Sequence, residues 1–269
     1  MLTSSTKKLA RILLPDRYYF PLRECYRSLR QNAELWQNPV WMESVQRVRA
    51  YRNKHEGRRC FILGTGPSLK KTDLSLLKNE FTFGLNRIYL LFDELKFNTT
   101  YYVAVNNLVI EQCAEEIARL PVPKFISFRN RNKIKFSPDL MFLQSRFEPP
   151  AFSTDITHGV WEGGTVTYVA IQIAYYMGFQ KVILVGVDHS FATKGQPNSM
   201  VVSGGADPNH FHPEYFGKGF RWHLPDLEAS ELAYRTAKYH FERSNREIVD
   251  ATVDGKLQVF SKVNYLDLF

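Results

Sequence analysis

The chain is poor in cysteine: Cys25, Cys60 and Cys113 are widely spaced and form no CxxC pair. An odd, scattered set excludes a disulfide framework and a cysteine zinc site, and it fits a reducing, cytoplasmic setting. No run approaches the roughly 18 or more consecutive apolar residues that read as a membrane helix. The first residues, MLTSSTKKLARILLPDRYYFP, lack the long apolar stretch and small-residue cleavage site of a signal peptide. Internal repeats and low-complexity tracts are missing. So are two phosphate-binding signatures. Without GxxxxGK[ST], a P-loop ATPase is excluded. The segment Gly64 to Leu69, GTGPSL, is not GxGxxG, and Asn86 stands where a classical NAD enzyme carries an acidic residue at the end of its second strand.

What remains is a globular composition, 44% hydrophobic and 23% charged over 269 residues, enough for one large or two small domains. The net charge of +8 is unevenly spread: residues 7–59 hold thirteen Lys or Arg against five Asp or Glu, the whole of the excess. Leu9, Ile12, Tyr18, Phe20, Trp36 and Trp41 are interleaved with those charges. Such a segment is either a solvated helical arm that packs an apolar stripe, or one that lies on an anionic membrane surface. Nucleic acid is not expected as a partner, because no familiar nucleic-acid motif is present. The expected organisation is a basic helical arm over 1–57 and a catalytic domain over 58–269. The protein is expected in the cytoplasm, with peripheral contact to the inner face of the membrane as the arm's contribution.

Beyond residue 59 the pattern alternates. CFIL, FTFGLN, YYVAVN, KFISF and KVILVGVD have strand length and composition. Helical segments are expected near 74–77, over 109–120, 165–177 and 226–244. Strands separated by helices predict an α/β, Rossmann-like, mostly parallel sheet with helices on both faces. Residues 192–222 are rich in Gly, Pro, Asn and His with little periodicity, which predicts an irregular lid.

In such a sheet, ligands bind beyond the carboxyl ends of the strands. There the chain places Gly64, Thr65, Gly66 and Ser68 after the first strand, Asn86 after the second and Asn106 after the third. Gly164 and Thr165 open a long helix, and Asp188, His189 and Ser190 follow the last long strand. Small residues expose amides, hydroxyls add donors, and asparagine can both donate and accept, which together suit a nucleotide. The histidines carry several readings. Asp188, His189, Asp207, His210, His212 and His223 include the HFH triplet, yet they match no standard zinc spacing. Structural or substrate contacts, a general base at His223, and Mg²⁺ on Asp188 stand beside that reading. Arg221, beside His223, suits an acidic sugar or phosphate and equally suits solvent.

GTGPSL, GLNRIYL, VAVNN, GGTVTYVAIQIAYYMGF and VILVGVDHSF, in that order, resemble the bacterial family grouped with 6-hydroxymethylpterin pyrophosphokinase, called MptE-like. More distantly, they are similar to bacterial lipooligosaccharide sialyltransferases, which use CMP-sialic acid. The second resemblance implies that Asn86 and Asn106 contact the CMP part of a donor and that Gly164 and Thr165 meet it at the helix entry. It also implies that Asp188 ends the strand beside the site and that His223 is the general base. Thr65 stands where those enzymes have asparagine, and their phosphate-assisting tyrosines have no clear counterpart, Tyr215 being the nearest. Three functions follow. The first is a glycosyltransferase that moves a sialic-acid-like or other acidic sugar from a CMP donor to a glycan or lipid-linked acceptor, with no cofactor required. The others are a pyrophosphokinase using ATP and Mg²⁺, and a nucleotide-binding protein without catalysis. The glycosyltransferase is the expectation carried forward.

Overall fold

The computed structural model describes residues 35–147 and 151–269, so residues 1–34 of the expected basic arm lie outside the described residues. The chain divides into two units between Glu43 and Ser44, and the fold set out here is that of the second, Ser44–Phe269. The helix α1, Pro39–Arg49, runs across the division.

Short, continuously apolar runs are what a parallel sheet buried on both faces requires. The chain supplies β1 (Arg59–Leu63, RCFIL), β2 (Thr82–Leu85), the short helix α2 (Phe92–Leu95) and β3 (Tyr101–Ala104). Next come α3 (Asn107–Gln112), α4 (Ala114–Arg119), β4 (Lys124–Ser127), β5 (Leu140–Leu143), β6 (Ser145–Arg146) and β7 (Val160–Trp161). The remainder is α5 (Val166–Tyr176), β8 (Lys181–Val185), β9 (Met200–Val202), β10 (Arg221–His223), α6 (Leu227–Arg243), β11 (Glu247–Asp250) and β12 (Ser261–Lys262). Phe61, Ile62, Val103, Phe125, Ile183 and Leu184 are fully buried.

The main sheet has eight strands in the order β12-β11-β8-β1-β2-β3-β4-β5, every neighbouring pair parallel. From β1 the chain steps outward through β5, then crosses back along α5 to lay β8 on the other side of β1. The strand order therefore reverses between β1 and β8, and the crevice that such a reversal opens lies above their carboxyl ends. Helices pack around the sheet: α5 lies across β1, β2 and β3, and α6 packs on α5 and β11. This is the Rossmann-like α/β fold expected from the alternation, with β5, β11 and β12 as strands of the sheet beyond the five read from the sequence.

Three local expectations are corrected. The segment 74–77 is a single 3-10 turn, because Asp73 caps it by accepting from the Ser75 amide (3.1 Å) and nothing carries the helix further. The helix over 109–120 is two, α3 and α4, parted at Cys113, whose φ of −125° is outside the helical range. Residues 192–222 are not irregular throughout, since β9 and β10 pair antiparallel within and just beyond them.

At the reversal the exits of β1 and β8 touch backbone to backbone. The Gly64 amide donates to the Val185 carbonyl (2.8 Å) and the Gly66 amide to that of Gly186 (2.9 Å). A Cβ on Gly64 would overlap the Gly186 carbonyl, which is backbone and cannot swing aside. Gly64→Ala should therefore cost about 3 kcal/mol or more, the range of severe core strain. A urea midpoint unchanged from wild type would show that this contact does not hold the two exits.

Candidate functional site

The crevice at the strand reversal is a cavity of about 610 Å³. Of the residues singled out in the sequence, Gly64, Thr65, Gly66, Asn86, Asn106, Gly164, Thr165, Asp188, His189, Ser190 and His223 all line it. Six separate chain segments thus deliver them to one place. Ser68, Tyr215 and Arg221 are not on its wall.

The geometry changes what several of them can do. Behind β1 the loop was expected to present free amides to an anion, but the fold uses those amides internally. Gly64 and Gly66 are bonded across to β8. The Ser68 amide donates to Asp188 Oδ1 (3.1 Å) and its hydroxyl to Oδ2 (2.6 Å). A carboxylate from β8 thus occupies the start of the turn Pro67–Lys71, where a Rossmann protein usually seats a phosphate. The Asp188 carboxylate lies so close over Gly66 that any side chain there would overlap it. Burial lifts the Asp188 pKa above the ordinary carboxylate value, while the two Ser68 bonds pull it down. Asp188 is therefore first a strut between the two loops.

Asn106 has a similar double position. Its Oδ1 accepts from the Leu108 and Val109 amides (2.9 and 3.3 Å) and so caps α3, which leaves only its Nδ2 for a ligand. Asn86 differs. It sits at φ +48°, and its Oδ1 is buried with no hydrogen-bond partner. Thr165 caps α5, its hydroxyl oxygen accepting from the Thr167 amide (3.3 Å). His189 is held at φ +54° with Nε2 3.4 Å from Glu231 Oε1. Burial depresses its pKa below the usual imidazole value, and the Glu231 carboxylate only partly reverses this.

Tyr215 is fully buried and lies outside the cavity wall. Burial pushes its phenol up to about 12, against the pull of polar groups on Thr65, Arg87 and Asn86. Arg221 points away to a surface pair with Glu111 (2.9 Å), and its backbone is clasped by Gln112. His223 ends β10, exposed, opposite Met200.

Of the wall contributed by residues 207–222, sequence reasoning named His210 among several candidate ligands or contacts and passed over Asn209, Phe216 and Trp222. Asn209, buried, accepts from the Ala192 and Thr193 amides (2.7 and 3.2 Å), and the Phe211 amide donates to the Thr65 carbonyl (3.0 Å). The Arg87 guanidinium holds the carbonyls of Glu214 and Tyr215. These bonds fasten the segment over the exits of β1 and β2. The one available signal was composition, since the NHFHPEYF stretch pairs polar with aromatic residues in a region otherwise low in pattern.

No Lys or Arg side chain lines the cavity. Its two carboxylates are already engaged, Asp188 by Ser68 and Glu162 by Arg129. Among the described residues no group of three His, Cys, Asp or Glu is placed to hold a metal. A Mg²⁺ ion held here would have to draw on Asp188 or Glu162, both already hydrogen-bonded within the protein.

Together the sheet order and the cavity define a Rossmann-like α/β protein with a crevice at its strand reversal. The chain belongs to the MptE-like family: the model of 6-hydroxymethylpterin diphosphokinase MptE-like proteins matches residues 33–194, more than half of it. The match stops short of His210 and His223. No curated protein matches the chain. Among solved structures, the MAf glycosyltransferase from Magnetospirillum magneticum AMB-1 is similar, with a TM-score of 0.50 and 14% identity. The likeness covers 86% of this chain and 39% of that one, so this chain spans about two fifths of that protein's length. At such identity the likeness is one of fold.

Removing the hydroxyl in Ser68→Ala should lower stability by about 2 kcal/mol, the scale of a hydrogen bond to a charged acceptor whose loss leaves a half-buried carboxylate short of a donor. Urea denaturation measures this. A change of only a few tenths would mean that Asp188 is not a strut.

Proposed function

We propose that this protein is a transferase that uses a nucleotide-activated sugar. Its donor is a CMP-linked acidic sugar of the sialic acid type, and its acceptor is a hydroxyl of a glycan or lipid-linked glycan. The observation that carries the reading is the buried, unpartnered Oδ1 of Asn86 on the wall of the cavity. A buried acceptor without a donor is costly, on the order of 1–3 kcal/mol, and a ligand N–H or O–H would remove that cost. A base amine or a ribose hydroxyl is such a donor.

Size and charge support the same class. A cavity of about 610 Å³ suits a nucleoside monophosphate with a sugar attached. A wall without Lys or Arg suits the two negative charges of a CMP-linked acidic sugar, one on the phosphodiester and one on the sugar carboxylate, better than the four of a triphosphate. The α5 entry offers the Gly164 amide and the Thr165 hydroxyl to that one phosphate, the Thr165 amide being bonded to the Glu162 carbonyl (3.0 Å). The diphosphokinase in the family's name would need ATP with a divalent cation, and both carboxylates of the cavity already have partners within the protein. No helix of the described residues is long and apolar enough to cross a membrane. Contact with a lipid-linked acceptor would fall to the basic segment 7–59, much of which lies outside the described residues.

The test is a panel of CMP, CDP, UDP, GDP, AMP and ATP, each with and without Mg²⁺, read by thermal shift and then calorimetry. CMP is expected to raise the melting temperature without metal. At 100 times its Kd it adds about 2.7 kcal/mol to stability. Asn86→Ala should weaken that binding roughly five- to tenfold, about 1 kcal/mol for one hydrogen bond. Binding of ATP only with Mg²⁺ would replace this reading with the diphosphokinase, and binding of none would remove the nucleotide altogether.

A further inference from the structure

In sugar transfer of this kind, an acceptor hydroxyl must lose its proton as it attacks. The resemblance of the sequence assigns that task to His223. The structure offers a better-built group a few residues earlier.

His210 Nδ1 lies 2.7 Å from Asp207 Oδ2. Both side chains are largely out of solvent, Asp207 at 2% exposure and His210 at 9%. The carboxylate is itself fixed: Oδ1 accepts from the Asn209 amide (2.8 Å) and Oδ2 also accepts from the Phe216 amide (3.1 Å). An ionised carboxylate can only accept, so Nδ1 carries the proton and the Nε2 lone pair is the free one. The ring is clamped as well. It stacks on Tyr215 with centroids 4.0 Å apart and planes 10° from parallel, and Phe216 meets it edge-on at 4.8 Å. Nε2 has no hydrogen-bond partner among the described residues, and His210 lines the cavity. The neighbours on either side anchor it, Asn209 to residues 192 and 193 and Phe211 to Thr65 behind β1.

His223 has none of this. It lines the same cavity but stands exposed at the end of β10, with no carboxylate or other side-chain partner among the described residues. A general base needs a fixed lone pair and a neighbour that stabilises the imidazolium it becomes, and of the two only His210 has both.

We propose that His210, positioned by Asp207, is the proton acceptor of this site, which rests on the reading of the cavity as a sugar-donor site. In the step, Nε2 takes the proton from the acceptor hydroxyl. The acceptor oxygen bonds the anomeric carbon of the donor sugar. The bond from that carbon to the phosphate oxygen breaks, and its electron pair leaves on the nucleotide phosphate. The positive charge on His210 is then balanced by Asp207, and the proton is later lost to water. Asp207 touches no substrate and acts only through the ring.

Two measurements on the full chain test this. The first needs no substrate: treatment with diethyl pyrocarbonate, with the modification rate of each histidine followed by peptide mass spectrometry. His210 is expected to react, CMP to protect it, and Asp207→Asn to slow it severalfold without changing the rate at His223. Buried His55 is the internal control for unfolding. An inert His210 beside a reactive His223 in the wild-type protein would overturn the proposal whatever the variants do. The second follows CMP release from CMP-N-acetylneuraminate. His210→Gln should lower it by about 100-fold or more, the usual weight of a general base, and His223→Gln by less. Added imidazole should restore part of the turnover of His210→Ala, which a purely structural loss would not allow. The reverse ranking of His210→Gln and His223→Gln also overturns the proposal. If the wild-type protein neither binds CMP nor releases it, the donor reading fails, while the reactivity of His210 still decides whether the pair is a competent base.

Discussion

The contact between the exits of β1 and β8 governs this structure. Two amides from the β1 loop cross to carbonyls of the β8 strand and its exit, and the space between them admits no side chain on Gly64. Asp188 then reaches over Gly66 to take both donors of Ser68. The result is a rigid seam at the one place where the strand order reverses. Every other segment of the site is placed relative to that seam. The exits of β2 and β3 bring Asn86 and Asn106 beside it, α5 brings Gly164 and Thr165, and the loop carrying Asn209, His210 and Phe211 is tied down on Thr65.

The seam also sets the chemistry. In many Rossmann proteins the first loop is the phosphate site. Here its donors are spent on the protein, and a carboxylate stands where the anion would be, so the phosphate of the proposed donor would lie at the entry of α5. The cavity wall has histidines and amides in place of Lys and Arg. Such a wall is in keeping with the proposed donor, which carries less charge than a nucleoside triphosphate.

Much of this was legible in the sequence. CFIL and KVILV read as strands because parallel strands buried on both faces must be continuously apolar. The helices α5 and α6 were bounded to within a residue by Thr165 and Asp226, both of which cap with their side chains. The gathering of strand-end loops at one sheet edge followed from the alternation alone. What stayed hidden depended on partners distant in the chain. That Asp188 serves Ser68, 120 positions away, has no local signal. Tyr215 reads as the nearest counterpart of a phosphate-assisting tyrosine until the Arg87 side chain and the His210 ring close over it. The role of Asn106 as a cap was open to view, since an asparagine just before a helix caps it more often than it binds a ligand. The pairing of Asp207 with His210 is only three residues long, but nothing in the spacing tells such a pair from two neighbours in a polar loop.

The central claim is that these strand-end loops form one ligand site at the seam. Hydrogen–deuterium exchange, with and without CMP, addresses it residue by residue. Protection is expected together in peptides covering 64–69, 86–88, 163–168, 186–191 and 207–211, with the opposite sheet edge at 178–181 and 245–247 unchanged. Protection confined to the opposite edge, or none anywhere at saturating CMP, would contradict it.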